Sequence, residues 1–366
     1  MSQANKKVLI MAGGTGGHVF PGIAIANELK PYQVDIHWLG TAGGMEAEWV
    51  NKAGLAYSEI AICGLRGKGL SGWLQAPFRV YRAYRQALTI LRREQPDLVL
   101  GMGGFVCGPG GLAAKKLKIS LVLHEQNAIP GFTNRLLSFL AERVLLAFPL
   151  AQQSPKRFPR LAQTVVVGNP VRDGLEQIPI LSMNDECRLL ILGGSRGAQA
   201  LNQMVPAALA KIPEAQRPAV LHQAGQKTLV SAQEAYAQAG VKAEVVPFIE
   251  DMVNAYQQAG LVICRSGALT VSELMASARP AILVPYPHAV DNHQTANAEV
   301  LCTLGGGQIM QQAQWNAEQL AQAICNWCQN PEKRTQASLQ IRQQAPQMAR
   351  QQIAQRLLAL LQSTET

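Results

Sequence analysis

In 366 residues there is no run of 18 or more apolar side chains, so no transmembrane helix is expected. The N-terminus, MSQANKKVLIM, lacks the long apolar stretch and small-residue cleavage site of a secretory signal, which points to a cytoplasmic protein. The seven cysteines are scattered and odd in number, unlike a secreted disulfide framework. The one close pair, Cys325 and Cys328 in ICNWCQN, has no second pair beside it, and packing is the expected role. No Cys/His cluster has metal-ligand spacing and no DxD pair is present, so no ligand motif for a divalent cation is seen. A dinucleotide fingerprint is missing too. GGTGG is not GxGxxG, Glu28 comes too early for the ribose acid, and Asp35 sits at a strand start, which argues against an NAD-dependent dehydrogenase.

Acidic residues are in short supply: 24 Asp and Glu face 33 Lys and Arg, a net charge of +9. Basic residues cluster in RVYRAYRQALTILRR (79–93) and KKLK (115–118), yet no nucleic-acid motif accompanies them. No nucleic-acid partner is expected. An anionic membrane surface or an acidic substrate suits the charge.

Glycine is what the chain has in place of these features. VLIMAGGTGGHVFPGIAIANEL and LLILGGSRGAQALNQMVPAAL each read as an apolar strand, a glycine loop and a helix, roughly 180 residues apart. Each opens an alternation of short apolar runs and amphipathic segments. Strands are expected at 8–11, 34–39, 97–100, 120–123 and 143–147, then at 188–192, 219–223, 244–246, 261–264 and 281–284. This predicts an α/β protein of two Rossmann-like halves with parallel sheets covered by helices. A boundary falls in the turn-rich GNPVRDGLEQIPILSMND (168–185). The Gln-rich tail from about 331 is helical by pattern, and Ile353, Leu357, Leu358 and Leu361 could pack back on the first domain.

Bare glycines between a strand and a helix let several N–H groups face an anion at the helix's positive end. A third glycine loop, GMGGFVCGPGG (101–111), repeats the theme, and loops at strand ends point to a site at the sheets' carboxyl edges. His18 stands at or just inside the first such helix, with Pro21 expected in its first turn. Positive charge is disfavoured there, which suits a neutral imidazole acting as general base. A histidine merely capping its helix is the bland alternative. In RSGALTVSELMASARPAILVPYP (265–287), Ser266, Gly267 and Ala268 leave room for a diphosphate, and Glu273, about two turns in, could accept ribose hydroxyls. DNHQTANA (291–298) and HEQNAIPG (124–131) offer side-chain amides that suit sugar hydroxyls.

Taken together and in order, GGTGGHVFPGIAIA, GMGGFVCGPGGLAA, HEQNAIPG, GNPVR, LGGSRGA and RSGALTVSE resemble glycosyltransferase family 28, at its UDP-N-acetylglucosamine transferases of peptidoglycan synthesis. The resemblance runs from about residue 7 to 300. It implies a GT-B fold, two Rossmann-like domains with parallel sheets facing across a cleft. Residues 1–170, with a C-terminal helix at about 347–366, would form the acceptor and membrane-facing domain; 171–346 would bind UDP-GlcNAc. The implied reaction is inverting transfer of GlcNAc to the C4 hydroxyl of MurNAc in lipid I, giving lipid II, with no obligatory cofactor and a divalent cation left open.

Carried over by position, the resemblance implies that Thr15, Gly16, Gly17 and Asn127 serve the donor sugar site. Arg172 and Ser195 would serve the nucleotide and its phosphates, Ile249 the uracil, and Ala268, Leu269, Thr270, Val271, Ser272 and Glu273 the diphosphate and ribose. Gln294 would bind the sugar. His18 is the implied base, with Glu125 as the alternative, and Gly104, Phe105, Asn134 and Asn202 are acceptor-side or cleft candidates. The chain departs from the family pattern at Phe105, where tyrosine is frequent, and in PHAVDNHQ, which is less basic than expected before Gln294. Leu70, Trp73, Leu74 and Phe78 beside Arg79, Arg82 and Arg85 suit shallow docking on an anionic inner leaflet, against the alternative of an ordinary amphipathic helix. The implied location is the cytoplasmic face of the inner membrane, as a peripheral protein meeting other cell-wall synthesis and division proteins. Other readings are a different GT-B transferase such as a diacylglycerol galactosyltransferase, a sugar-nucleotide epimerase, and a non-catalytic nucleotide-sugar binding subunit.

Overall fold

The computed structural model describes residues 5–14, 16–62, 69–151, 164–194 and 197–363, and the side chains of 69–74 and 290 lie outside that description. Contacts divide the chain into two units, residues 1–171 with 348–366, and residues 172–347.

The first unit carries strands β1 (Lys7–Ala12), β2 (Asp35–Thr41), β3 (Ala56–Ile60), β4 (Leu98–Gly103), β5 (Ser120–Glu125), β6 (Arg143–Leu146) and β7 (Thr164–Val166). Between them lie helices α1 (Gly16–Leu29), α2 (Glu46–Lys52), α3 (Gly69–Glu94), α4 (Cys107–Lys116) and α5 (Phe132–Leu137). The described strands form one parallel sheet in the order β3-β2-β1-β4-β5-β6-β7. Its two faces bury different side chains of one strand, as a period of two requires. Val8, Ile10 and Ala12 of β1 join one core with Val19, Ile25 and Trp38, while Leu9 and Met11 join the other with Leu39, Val99 and Leu123.

The second unit has β8 (Leu189–Leu192), β9 (Val220–Gln223), β10 (Glu244–Val246), β11 (Leu261–Cys264), β12 (Ala281–Leu283) and β13 (Gly307–Ile309). Its helices are α6 (Gln199–Ala210), α7 (Leu229–Gln238), α8 (Met252–Gln258), α9 (Ala268–Ala276), α10 (His293–Thr303), α11 (Ala317–Cys328) and α12 (Pro331–Gln344). All pairings are again parallel, in the order β10-β9-β8-β11-β12-β13. Finally α13 (Ala349–Ser363) returns to the first unit, where Ile353, Ala354, Leu357 and Leu361 are buried in the same core as α1; Leu358 packs at its edge.

In each sheet the strand order reverses once, between β1 and β4 and between β8 and β11. Such a reversal leaves an opening at the carboxyl edge, because successive connections run to opposite sides. Among the described residues no helix is long and apolar enough to cross a membrane.

Three differences from the sequence expectations have local causes. β3, β7 and β13 have no counterpart among the expected strands; each is a sheet edge whose short, half-covered run (AYSEI, TVV, GQI) has no continuous apolar signal. Helix α1 starts at Gly16, so Pro21 lies past the first turn, where its ring removes the N–H that would reach back to residue 17. Cys328 is joined to Cys187 by a disulfide rather than serving only in packing, whereas Cys325 packs against the apolar core of the second unit. Residues 141 apart in sequence give no local cue to that pairing.

Candidate active site

At the first reversal point, α1 follows β1 directly and the loop after β4 comes up beside it. Gly103 and Gly104 both have positive φ, 115° and 88°. A Cβ on Gly103 would stand 2.7 Å from Nδ1 of His18, and one on Gly104 would stand 2.5 Å from the carbonyl oxygen of Gly13. Only glycine satisfies both the backbone and the space, so the two glycine loops pack on one another and the imidazole lies against bare backbone. His18, in the first turn of α1, places Nδ1 2.9 Å from Oε1 of Gln126. Gly16 and Gly17 open the helix, Phe105 is exposed beside the second loop, and Thr15 lies outside the described residues.

HEQNAIPG continues β5 into a loop organised by Glu125. Its carboxylate is buried and accepts the Asn127 N–H at 3.0 Å and the Gly131 N–H at 3.0 Å. Asn127 Nδ2 approaches the first oxygen at 3.4 Å, and Asn134 Nδ2 donates to the second at 2.9 Å. The oxygens of Glu125 thus hold the turn that presents Asn127. Asn134 keeps Oδ1 buried without a partner.

In the second unit the reversal point lies beside α9, which begins after Gly267. The N–H groups of Ala268, Leu269 and Thr270 open its first turn, where an α-helix has no internal acceptor for them. Glu273 is only 4 % exposed; Oε1 accepts from Arg172 Nε at 2.8 Å and Oε2 from the Tyr256 hydroxyl at 3.2 Å. Burial holds its carboxyl above the usual carboxylate range, with Arg172 and Tyr256 offsetting part of that rise. Burial and the same carboxylate push the Tyr256 phenol upward, keeping it a donor. Ser266, fully buried at the helix start, has an Oγ without a partner.

Several candidates sit differently from the expectation. Arg172 meets Glu273 rather than standing alone for a phosphate. Val271 faces the core and Ser272 Oγ donates to the Ala268 carbonyl at 2.9 Å, so those side chains serve the helix. Asn202 is buried and hydrogen-bonded at both amide ends, to the Ala224 carbonyl at 3.1 Å and to His222 Nε2 at 3.0 Å. The Ile249 N–H donates to Gln223 Oε1 at 3.3 Å. Gln294 Oε1 accepts from the Tyr286 N–H at 2.8 Å, anchoring PYP. Ser195 lies outside the described residues.

The N-terminal domain model of glycosyltransferase family 28 matches residues 8–146, and the C-terminal domain model of the same family matches residues 188–356. The chain belongs to glycosyltransferase family 28. A relative from Hydrogenovibrio crunogenus is 58% identical over 98% of this chain and 99% of its own length. One from Alkalilimnicola ehrlichii is 52% identical, over 86% and 87%. Both are named UDP-N-acetylglucosamine–N-acetylmuramyl-(pentapeptide) pyrophosphoryl-undecaprenol N-acetylglucosamine transferase. A crystal structure of Acinetobacter baumannii MurG superposes with a TM-score of 0.83 at 38% identity, covering 97% of this chain and 99% of that one. With that match, the two parallel-sheet units are those of a GT-B glycosyltransferase.

Three residues of this family 28 site are not evident from the sequence. Gln126 lies inside HEQNAIPG, between a carboxylate and an amide that carry the more conspicuous chemistry. Tyr256 is spaced far from Glu273 in sequence and carries no local signal. Glu46, fully buried, accepts the Thr41 N–H at 2.8 Å and approaches the Gly14 N–H at 3.4 Å, so a carboxylate braces the first glycine loop. An acid at the start of a helix reads as an ordinary first-turn charge.

On the surface of the first unit, Phe78 is 73 % exposed on α3, with Arg79, Arg82 and Arg85 on the same helix. Leu70, Trp73 and Leu74 fall in the same helix, but their side chains lie outside the described residues. Contacts join α3 to α4 and α4 to α5. These neighbours and the turn after α5 add exposed Leu112, Phe132 (67 %), Leu136 and Phe139, with Lys115, Lys116 and Arg135 among them.

Proposed function

We propose that His18 and Glu273 are the working centres of a UDP-GlcNAc-dependent inverting transferase that adds GlcNAc to the C4 hydroxyl of MurNAc in lipid I, giving lipid II. The observation that carries the reaction is 58% identity, along nearly the whole of both chains, with a protein of that name. In this reading the acceptor oxygen attacks C1 of GlcNAc, its proton passes to His18, and the C1–O bond to UDP breaks with its electron pair leaving on the diphosphate. The N–H groups opening α9 offset that developing charge without reorganising. Glu273, oriented by Arg172 and Tyr256, keeps lone pairs for the ribose hydroxyls. Asn127 and Gln294 offer amides to the sugar, and Ile249 serves the uracil. The preference for His18 over Glu125 as base is supported by the four donors already gathered on Glu125.

The test is transfer of labelled GlcNAc from UDP-GlcNAc to lipid I or a short-chain analogue. A labelled disaccharide lipid is expected; UDP release without acceptor would point to an epimerase or hydrolase instead.

The same reading includes docking of the α3–α5 surface on the anionic inner leaflet, at the cytoplasmic face, and association with other cell-wall synthesis and division proteins. Exposed aromatic and aliphatic side chains among arginines and lysines support it. With Arg79, Arg82 and Arg85 all changed to Glu, binding to anionic vesicles is expected to fall at least tenfold, because each basic residue near such a surface contributes about 1 kcal/mol. Unchanged sedimentation with vesicles would remove this part of the proposal.

A further inference from the structure

The two ring nitrogens of His18 are not interchangeable, and the hydrogen bonds behind it decide which one carries hydrogen. They begin at His124, fully buried on β5, whose Nε2 stands 3.0 Å from the carbonyl oxygen of Gly168. A carbonyl only accepts, so this nitrogen bears hydrogen. Burial pushes His124 down to about 4, which keeps the ring neutral near pH 7 and leaves a lone pair on Nδ1.

That lone pair faces the amide nitrogen of Gln126 at 3.2 Å, and the same nitrogen lies 2.5 Å from the carbonyl oxygen of Met102. Two acceptors around one end of an amide require its NH2 group there, so both hydrogens are used and the amide cannot turn over. The other end, Oε1, is left toward His18 Nδ1 at 2.9 Å. An amide oxygen only accepts. His18 therefore donates from Nδ1, and in the neutral ring the lone pair sits on Nε2. Gly103 beside the ring leaves room for this contact, where any residue with a Cβ would crowd Nδ1.

We propose that Gln126 is a positioning residue that, oriented by His124 and the Met102 carbonyl, holds His18 in the Nδ1–H tautomer so that Nε2 is the proton-accepting atom. The consequence for catalysis rests on the reading of His18 as the base; the tautomer itself does not. The other titratable groups near the ring leave this wiring undisturbed. Cys107, bonded to the Gly103 N–H from α4, has its thiol pushed up to about 12 and stays protonated, and Glu125 is turned to its own loop. An imidazole without the amide oxygen would lose its fixed orientation and share its proton between both nitrogens.

The full-length protein, labelled with 15N-histidine, provides the direct test through long-range 1H–15N correlations of the imidazole rings. The His18 signals are identified by their loss in His18→Asn. The wild-type chain is expected to show a protonated Nδ1 and a bare Nε2 above neutral pH; a protonated Nε2 would overturn the proposal whether or not any variant folds. In Gln126→Leu the pattern is expected to move to a mixture of tautomers. Its kcat should fall about 10- to 100-fold, as when an orienting hydrogen bond to a working imidazole is lost, with KM for UDP-GlcNAc within about twofold of wild type. A folded Gln126→Leu chain with wild-type kcat and an unchanged His18 spectrum would also refute it. Full activity in His18→Ala would instead remove the base assignment while leaving the spectrum to judge the tautomer.

Discussion

Each unit keeps its most committed polar side chains at the carboxyl edge of a parallel sheet, yet the two use opposite electrostatics. Around His18 the partners are neutral: an amide, a buried imidazole and backbone carbonyls. Around Glu273 they are charged or strongly polar, with Arg172 on one oxygen and Tyr256 on the other. The contrast follows from the tasks proposed for them. A group that must gain and lose a proton is better oriented by neutral donors and acceptors, which fix its tautomer without adding a charge beside it. A carboxylate that must stay ionised in a dry site needs a cation, or burial would neutralise it.

The largest expected effect is at the neutral site. His18→Ala should lower kcat about 10²- to 10⁴-fold, the usual contribution of a general base, while the melting temperature stays near wild type. If instead KM for UDP-GlcNAc rises and kcat holds, the roles of the two sites are not divided as described.

Fully buried histidines sharpen the comparison next: His124 in the first unit and His222 in the second are both 0 % exposed and both pushed by burial from 6.5 down to about 4. A histidine whose folded value lies below its unfolded one adds stability that is present above about 6.5 and lost as pH falls toward 4. The loss is about 3 kcal/mol for each group, read as denaturant midpoints across that window. His124→Phe and His222→Phe should each flatten the acid slope of their own unit. An unaltered slope in both would mean that the acid sensitivity has another origin.

Glu273→Gln is the smallest of the three. It keeps the shape and the Tyr256 contact but removes the charge facing Arg172, which is itself 45 % exposed and can turn to water. A stability loss of roughly 1–2 kcal/mol is expected, with KM for UDP-GlcNAc up about tenfold and kcat changed less. A dominant loss of kcat would place Glu273 with the reacting atoms and collapse the distinction between the sites.

Much of the fold is legible in the chain's own hydrophobic pattern. The apolar runs of β1, β4, β5, β8 and β11 are buried on both faces, so they stand out from their surroundings as continuous hydrophobic stretches. The edges β3, β7 and β13 do not, because an edge strand is half-covered and its hydrogen bonds come from a neighbour distant in sequence. His18 and Glu273 are visible as chemistry-bearing residues next to glycine turns. Their pairings are not: Gln126 is 108 residues from His18, and Arg172 is 101 from Glu273.

The amino-acid sequence by itself determined the two-unit α/β organisation, the glycine loops at strand ends, the amphipathic helix at the C-terminus and the family of the chain. These are written in local periodicity, in the placing of glycine and in motif order, all properties of neighbouring residues. Only the tertiary structure decided which nitrogen of His18 is bare, that Glu125 organises its own loop, that Asn202 meets His222 and that Cys187 meets Cys328. Each of those depends on directional contacts whose geometry exists only once a sheet has aligned its strands and the loops at their ends have packed on one another.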